Sequence, residues 1–188
     1  MMQKLIVFVG LLLFACVNAQ ARLAAFHFEA MVSNSYMIVV AKVDSITPDS
    51  DAPTNAIVRV LETWKGPEHE TITLSTAPTW TCDISNAKKG ETILLFVWCN
   101  QRSGALSINY SGRGRMPIDE INGRKYAIFW PEVWLPKRIR VTEGPQPEFD
   151  FIQRADLEDL KKLVDELTKK APNNALENIG ANAPNPQR

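Results

Sequence analysis

Apolar and polar positions change period along this chain, and each change marks an expected element. Leu23, Phe26 and Ala30 recur at helical spacing, so residues 22–34 are expected to form a short helix that ends at Asn34-Ser35. From Tyr36 to Ile46 the chain is β-branched and mostly apolar, which predicts a strand with both faces partly covered. Turn formers over residues 47–53 break it. Asn55 to Trp64 alternates and is stopped by Lys65-Gly66-Pro67, and Glu70 to Thr76 alternates cleanly, with Ile72 and Leu74 on one face. A longer connection, Ala77 to Lys89, leads to Glu91–Cys99, whose centre Ile93-Leu94-Leu95-Phe96-Val97-Trp98 reads as a buried strand. Asn100 to Gly104 turns the chain into a fifth strand, Ala105 to Tyr110.

A second hairpin follows. Met116–Ile121 and Arg124–Trp130 flank Asn122-Gly123, the strongest short hairpin signal available. Lys137–Val141 adds an edge strand, and Gly144-Pro145-Gln146-Pro147 reads as a linker. Arg154–Lys169 is an amphipathic helix with Leu157, Leu160, Leu163, Val164 and Leu167 on one face. Acidic residues near its start and Lys169-Lys170 near its end suit the helix dipole. Residues 171–188 are rich in Asn, Pro and Ala, lack apolar periodicity and read as a disordered tail. The predicted class is mainly β with flanking helices: an OB-like five-stranded barrel, then a hairpin extension and a C-terminal amphipathic helix. Strand pattern alone leaves a sandwich as the alternative.

The first residues change the picture of where such a domain works. Lys4 precedes an apolar run from Leu5 to Cys16, and Val17-Asn18-Ala19 follows. The run falls short of the roughly 20 residues a membrane-spanning helix needs, and the order of charge, apolar stretch and small residue reads as a secretory signal cut after Ala19. The expectation is a secreted or periplasmic protein. Leu13-Phe14-Ala15-Cys16 loosely resembles a lipobox, so membrane attachment would come only through lipidation at Cys16. With 21 basic and 21 acidic residues the chain has no net charge, which argues against nucleic acid as a partner. Cys82 and Cys99 form a disulfide candidate in an oxidising compartment, with two buried thiols as the alternative.

Several ordered segments resemble tissue inhibitors of metalloproteinases and the related netrin-like modules. Residues 34–43, Asn-Ser-Tyr-Met-Ile-Val-Val-Ala-Lys-Val, are similar to the first strand of that family. Val60-Leu61-Glu62-Thr63-Trp64-Lys65-Gly66 looks like its second strand, with the aromatic-Lys-Gly turn. Residues 75–82 resemble the stretch leading to a cysteine after the third strand. Lys89-Gly90-Glu91-Thr92-Ile93-Leu94-Leu95-Phe96 resembles the Gly-Glu-x-x-Leu-Leu-Phe segment of bacterial members, and Gly104 to Ser111 matches the fifth strand. The resemblance spans about residues 24–118 and implies an OB barrel; it does not fix function.

The inhibitors begin with a cysteine whose amine and carbonyl bind the protease zinc, a mechanism that needs an unblocked N-terminus. Here cleavage after Ala19 leaves Gln20 first, so the family partner of Cys82 is missing and Cys99 remains; Ser111 replaces the family's fifth-strand cysteine. Cleavage before Cys16 would restore both the amine and the partner.

Catalytic chemistry finds no foothold. His27 and His69 are too few for a zinc site, no serine has a nucleophile-elbow context, and there is no phosphate-cradling glycine loop. No cofactor and no metal are expected, and the protein reads as a non-enzyme. Residues 102–140 are locally basic with interleaved aromatics, which makes Arg113, Arg115, Arg124, Lys125, Trp130, Trp134 and Arg138 binding candidates. The competing reading is two ordinary strands with charged outer faces. Asn109-Tyr110-Ser111 is a glycan-acceptor sequence wherever the chain passes through a eukaryotic secretory pathway. The expectation is therefore an exported, non-catalytic binding module whose partner is an extracellular or envelope protein, with a metalloprotease or a polysaccharide as alternatives.

Overall fold

A computed structural model describes residues 25–47, 55–75, 88–110, 112–146 and 149–170. The segment read as an export signal, Cys16, Cys82 with its half of the expected bridge, and the tail from 171 all lie outside these residues.

Five strands close into the expected barrel. They are β2 (Met37–Ile46), β3 (Asn55–Lys65), β4 (Thr71–Ser75), β5 (Thr92–Cys99) and β6 (Leu106–Ile108). Around the barrel the order is β5-β2-β3-β4-β6, and β6 returns to pair with β5. Every contact is antiparallel except β4 with β6, which is parallel. The first strand thus lies between the second and fourth and the fifth joins the third to the fourth, an OB arrangement that closes the sheet on itself. Alternate side chains fill the interior: Met37, Val39, Ala41 and Val43 from β2, Ala56 and Val58 from β3, Ile72 and Leu74 from β4, Ile93, Leu95 and Val97 from β5, and Ile108 from β6.

The other face of β2 and β5 is also buried. Ile38, Val40, Leu94 and Phe96 point outward into a second core, shared with helices α1 (Phe28–Asn34) and α2 (Leu157–Lys170). Phe28, Met31 and Val32 come from α1, and Leu157, Leu160, Leu163 and Val164 from α2. Phe28 meets Phe96 edge to face at 5.4 Å. Strands sandwiched in this way must be apolar at successive positions, which is why Met37–Ala41 and Ile93–Val97 read as unbroken runs.

The extension continues the same sheet through β7 (Arg115–Ile121), β8 (Arg124–Phe129), β10 (Val141–Gln146) and β11 (Phe149–Asp156), in the order β10-β11-β8-β7-β5. Two strands share one edge of β5: β6 pairs with Val97–Cys99 and β7 with Ile93–Leu95. Gly114 stands at the handover. The Phe96 N–H donates to its carbonyl at 2.8 Å, and a Cβ placed on it would lie 2.8 Å from the carbonyl oxygens of both Asn109 and Phe96. Only glycine lets the two strands change places so closely. The Asn122-Gly123 turn closes β7 on β8 with φ of 52° and 75°, as the sequence predicts.

Three boundaries differ from expectation. Phe26–His27 is not helical but forms a short strand, β1, parallel to β9 (Val133–Trp134), so the first helix starts at Phe28. The segment read as an edge strand followed by a linker is displaced: Lys137–Arg140 is a turn region, and Val141–Gln146, which includes Gly144-Pro145, pairs with β11 across a register shift. Proline is tolerated there because β10 lies at the sheet edge. The last helix begins at Leu157 rather than Arg154, because Gln153–Asp156 pair with β8. The Asp156 carboxylate then accepts the Glu158 N–H at 2.9 Å and caps the helix.

The Trp64-Lys65-Gly66 triplet ties these layers together. Trp64 is buried in the second core. The Lys65 ammonium donates to the carbonyls of Val32 at 2.6 Å, Ser33 at 3.0 Å and Ser35 at 2.7 Å, which closes the C-terminus of α1 with a cation. Burial pulls its pKa below the ordinary lysine value while the carbonyls favour the charged form. Gly66, at φ +92°, passes so close that a Cβ would sit 2.7 Å from the Tyr36 carbonyl oxygen.

Candidate functional site

The structure divides the sequence-predicted basic and aromatic set between interior and surface. Arg113 is buried, with 4% exposure, and is engaged within the protein. Arg115 lies at the start of β7, where its guanidinium forks onto the Glu91 carboxylate: Nε donates to Oε1 at 2.8 Å and Nη2 to Oε2. Both side chains are nearly removed from water, at 11% and 14% exposure. The same carboxylate accepts the Lys88 N–H at 2.7 Å, so Arg115 holds the entrance to β5 against the extension. These two arginines form no part of an open basic face. The position of Arg115 follows from β7 lying along β5, a pairing invisible to a local charge count.

The remaining candidates stay near the surface but apart from one another. Arg124 and Lys125 are exposed beside the Asn122-Gly123 turn. Trp130 is half-buried and engaged within the protein. Arg138 is exposed and pairs at 2.7 Å with Glu166 of α2. Trp134 is 56% exposed, the highest value among the large hydrophobic side chains of the described residues. It projects from β9 and meets the His27 ring of β1 edge to face at 5.4 Å. Phe26, beside His27, is held by a hydrogen bond from its N–H to the Glu132 carbonyl at 2.7 Å and packs its ring on Tyr110 at 5.4 Å. The small β1–β9 ribbon therefore presents one aromatic and one imidazole side chain side by side.

Trp98 is the residue that sequence pattern misplaces. Within a run expected to be buried, it is 45% exposed. Its neighbours of the same parity, Leu94 and Phe96, lie under the helices, whereas Trp98 is at the end of the strand and pairs across with Ser107. Ile57 and Leu61, on the outer side of β3, are exposed too, at 41% and 53%. Nearby, Arg59 forks onto Asp44 at 3.1 and 3.2 Å and holds that carboxyl below its usual range.

Among the described residues no group of three or more His, Cys, Asp or Glu side chains is placed to hold a metal ion, and no helix is long and apolar enough to cross a membrane. Cys99 is a partly buried free thiol at the end of β5, its sulfur 3.9 Å from the Asn100 carbonyl oxygen. An exposed tryptophan whose ring already packs on a neighbour is the kind of side chain that can bury against a partner at low conformational cost. Comparison of the chain with protein-family models, with curated proteins and with solved structures finds no match.

Proposed function

We propose that this chain is an exported, non-catalytic binding module built on the plan of the tissue inhibitors of metalloproteinases, with an extracellular or envelope protein as its partner. The observation that carries the reading is Trp134, exposed on β9 and presented beside His27 of β1. An exposed tryptophan is an anchor residue of the type that dominates protein interfaces. Two further features support the family plan: the strand order of the barrel, and the Trp-Lys-Gly triplet that clamps α1. The signal-like start supports export.

The test is capture from the native secretome by the full chain and by Trp134→Ala, combined with mass analysis of the secreted protein's first residue. The expected result is a discrete protein retained by the parent and weakened about tenfold or more by the substitution, a loss of about 1.4 kcal/mol or more. Retention that is indifferent to Trp134 would refute this surface. A mature chain that begins at Cys16 and inhibits zinc endopeptidases would replace the general binding role with protease inhibition through the terminal amine.

A further inference from the structure

We infer that Asn109, although it heads the acceptor sequence Asn109-Tyr110-Ser111, is an internal clamp of the fold and that a glycan on it is incompatible with the folded state. The residue sits where β6 ends and the chain swings across β5 into β7. Its main-chain N–H donates to the Phe96 carbonyl at 2.9 Å, and its own carbonyl accepts the Gly114 N–H at 3.1 Å. Its side chain is committed at both ends. The amide oxygen accepts the Tyr110 N–H at 2.9 Å, and Nδ2 donates to the Ser35 hydroxyl at 3.3 Å. Ser35 is 3% exposed and stands at the C-cap of α1, so the nitrogen that would carry a sugar is aimed at buried structure.

The next residue closes the arrangement. Tyr110 takes a positive φ of 56°, which turns its ring toward α1. There its hydroxyl donates to the Ala30 carbonyl at 2.9 Å and its ring meets Phe26. The main chain of this corner is packed as tightly as the side chain, since a Cβ on Gly114 would already collide with the Asn109 carbonyl oxygen. Glycan transfer would form a bond from Nδ2 to the anomeric carbon of a sugar, break that carbon's bond to a lipid-linked pyrophosphate donor, and release the lipid pyrophosphate together with the displaced Nδ2 proton. The product would have to fit that sugar between the corner and the α1 cap, or pull Asn109 away from Ser35.

The clamp reading is tested by secreting the full chain, and a Ser111→Ala form that lacks the acceptor sequence, from a glycosylating eukaryotic host. Intact mass with and without peptide N-glycosidase, and thermal melting of each secreted species, are the readouts. The expected result is secreted protein without glycan at Asn109, or a glycosylated fraction that melts several degrees lower than the Ser111→Ala form (roughly what a loss of 1 kcal/mol produces in a domain of this size). Full occupancy with an unchanged melting temperature would overturn the inference. An independent measurement uses unglycosylated protein from a bacterial host. There Asn109→Ala is expected to melt several degrees below the parent, because it strands the buried Ser35 hydroxyl and frees the corner; a variant that melts with the parent would count equally against the clamp.

Discussion

The barrel has two outer walls that share one interior and differ in what lies over them. On the wall made by β2 and β5, residues Ile38, Val40, Leu94 and Phe96 are buried beneath α1, α2 and the extension. On the wall made by β3 and β4, Ile57, Arg59, Thr71 and Thr73 face water. The interior cannot tell these walls apart, since both contribute alternate apolar side chains to it. The difference teaches that the barrel closes by hydrogen bonding, while a large part of its packing comes from one side only. Anything that detaches the cover should therefore unfold the molecule as a whole, and anything done to the bare wall should be felt weakly.

The strongest way to break the asymmetry is to cut the fastening between cover and barrel. Arg115→Ala leaves the Glu91 carboxylate buried without its partner and is expected to cost about 3–5 kcal/mol, read as a fall in urea midpoint. A loss below about 1 kcal/mol would mean that the extension does not depend on this pair. The next effect compares the walls directly. Leu94→Ala opens a cavity under the helices and should cost about 2–5 kcal/mol, whereas Ile57→Ala, on the bare wall, should stay near roughly 0.5 kcal/mol. Equal losses from the two would show that the walls are energetically alike. Lys65→Met keeps the aliphatic stem but leaves the carbonyls of Val32, Ser33 and Ser35 without their cation. A loss of about 1–3 kcal/mol is expected, with faster amide exchange confined at first to α1.

Much of this asymmetry is legible in the order of residues along the chain. The unbroken run Ile93–Val97 announces a strand covered on both faces, and the alternation around Ile72 and Leu74 announces one covered on a single face. The strand order is not reachable through periodicity, because period says which face is buried and not which strand is next door. What stays hidden depends on contacts distant in sequence. Arg115 reads as a surface charge because nothing local reveals that Glu91 stands opposite it. Trp98 reads as buried because its parity matches Phe96, and only the end of the cover, set by where α1 and the extension stop, leaves it in water. Phe26–His27 reads as helical by spacing; the pairing with Val133–Trp134 overrides that weak local preference. Gly144-Pro145 reads as a linker because an edge strand tolerates the very residues that mark a break.

The smallest expected effect concerns a charged tie that reaches across the boundary between the walls. Glu62 of β3 accepts a hydrogen bond from Lys161 of α2, with both side chains 43% exposed. Partial burial opposes ionisation of Glu62, but the Lys161 ammonium, the nearby Trp64 indole and the charge of Lys125 together hold its pKa below the ordinary value. Among the described residues the Trp64 N–H makes no well-formed hydrogen bond, so its help is that of a dipole close by. A carboxylate with a lowered folded pKa adds stability above its unfolded value, about 4.3, and loses that contribution as pH falls through the folded value. Lys161, raised by the hydrogen bond and charge of Glu62, adds stability below its unfolded value and loses it only as pH climbs through the raised one. The tie is therefore fully present through the neutral range. Glu62→Gln should lower stability at pH 7 by no more than about 0.5 kcal/mol, given the exposure of both groups and screening by salt. That deficit should shrink toward nothing as the parent is acidified below pH of about 4, because the parent then loses the same charge. A deficit that persists undiminished in acid would show that Glu62 supports the junction by packing rather than by charge, and the electrostatic link between β3 and the helix that covers the other wall would have to be withdrawn.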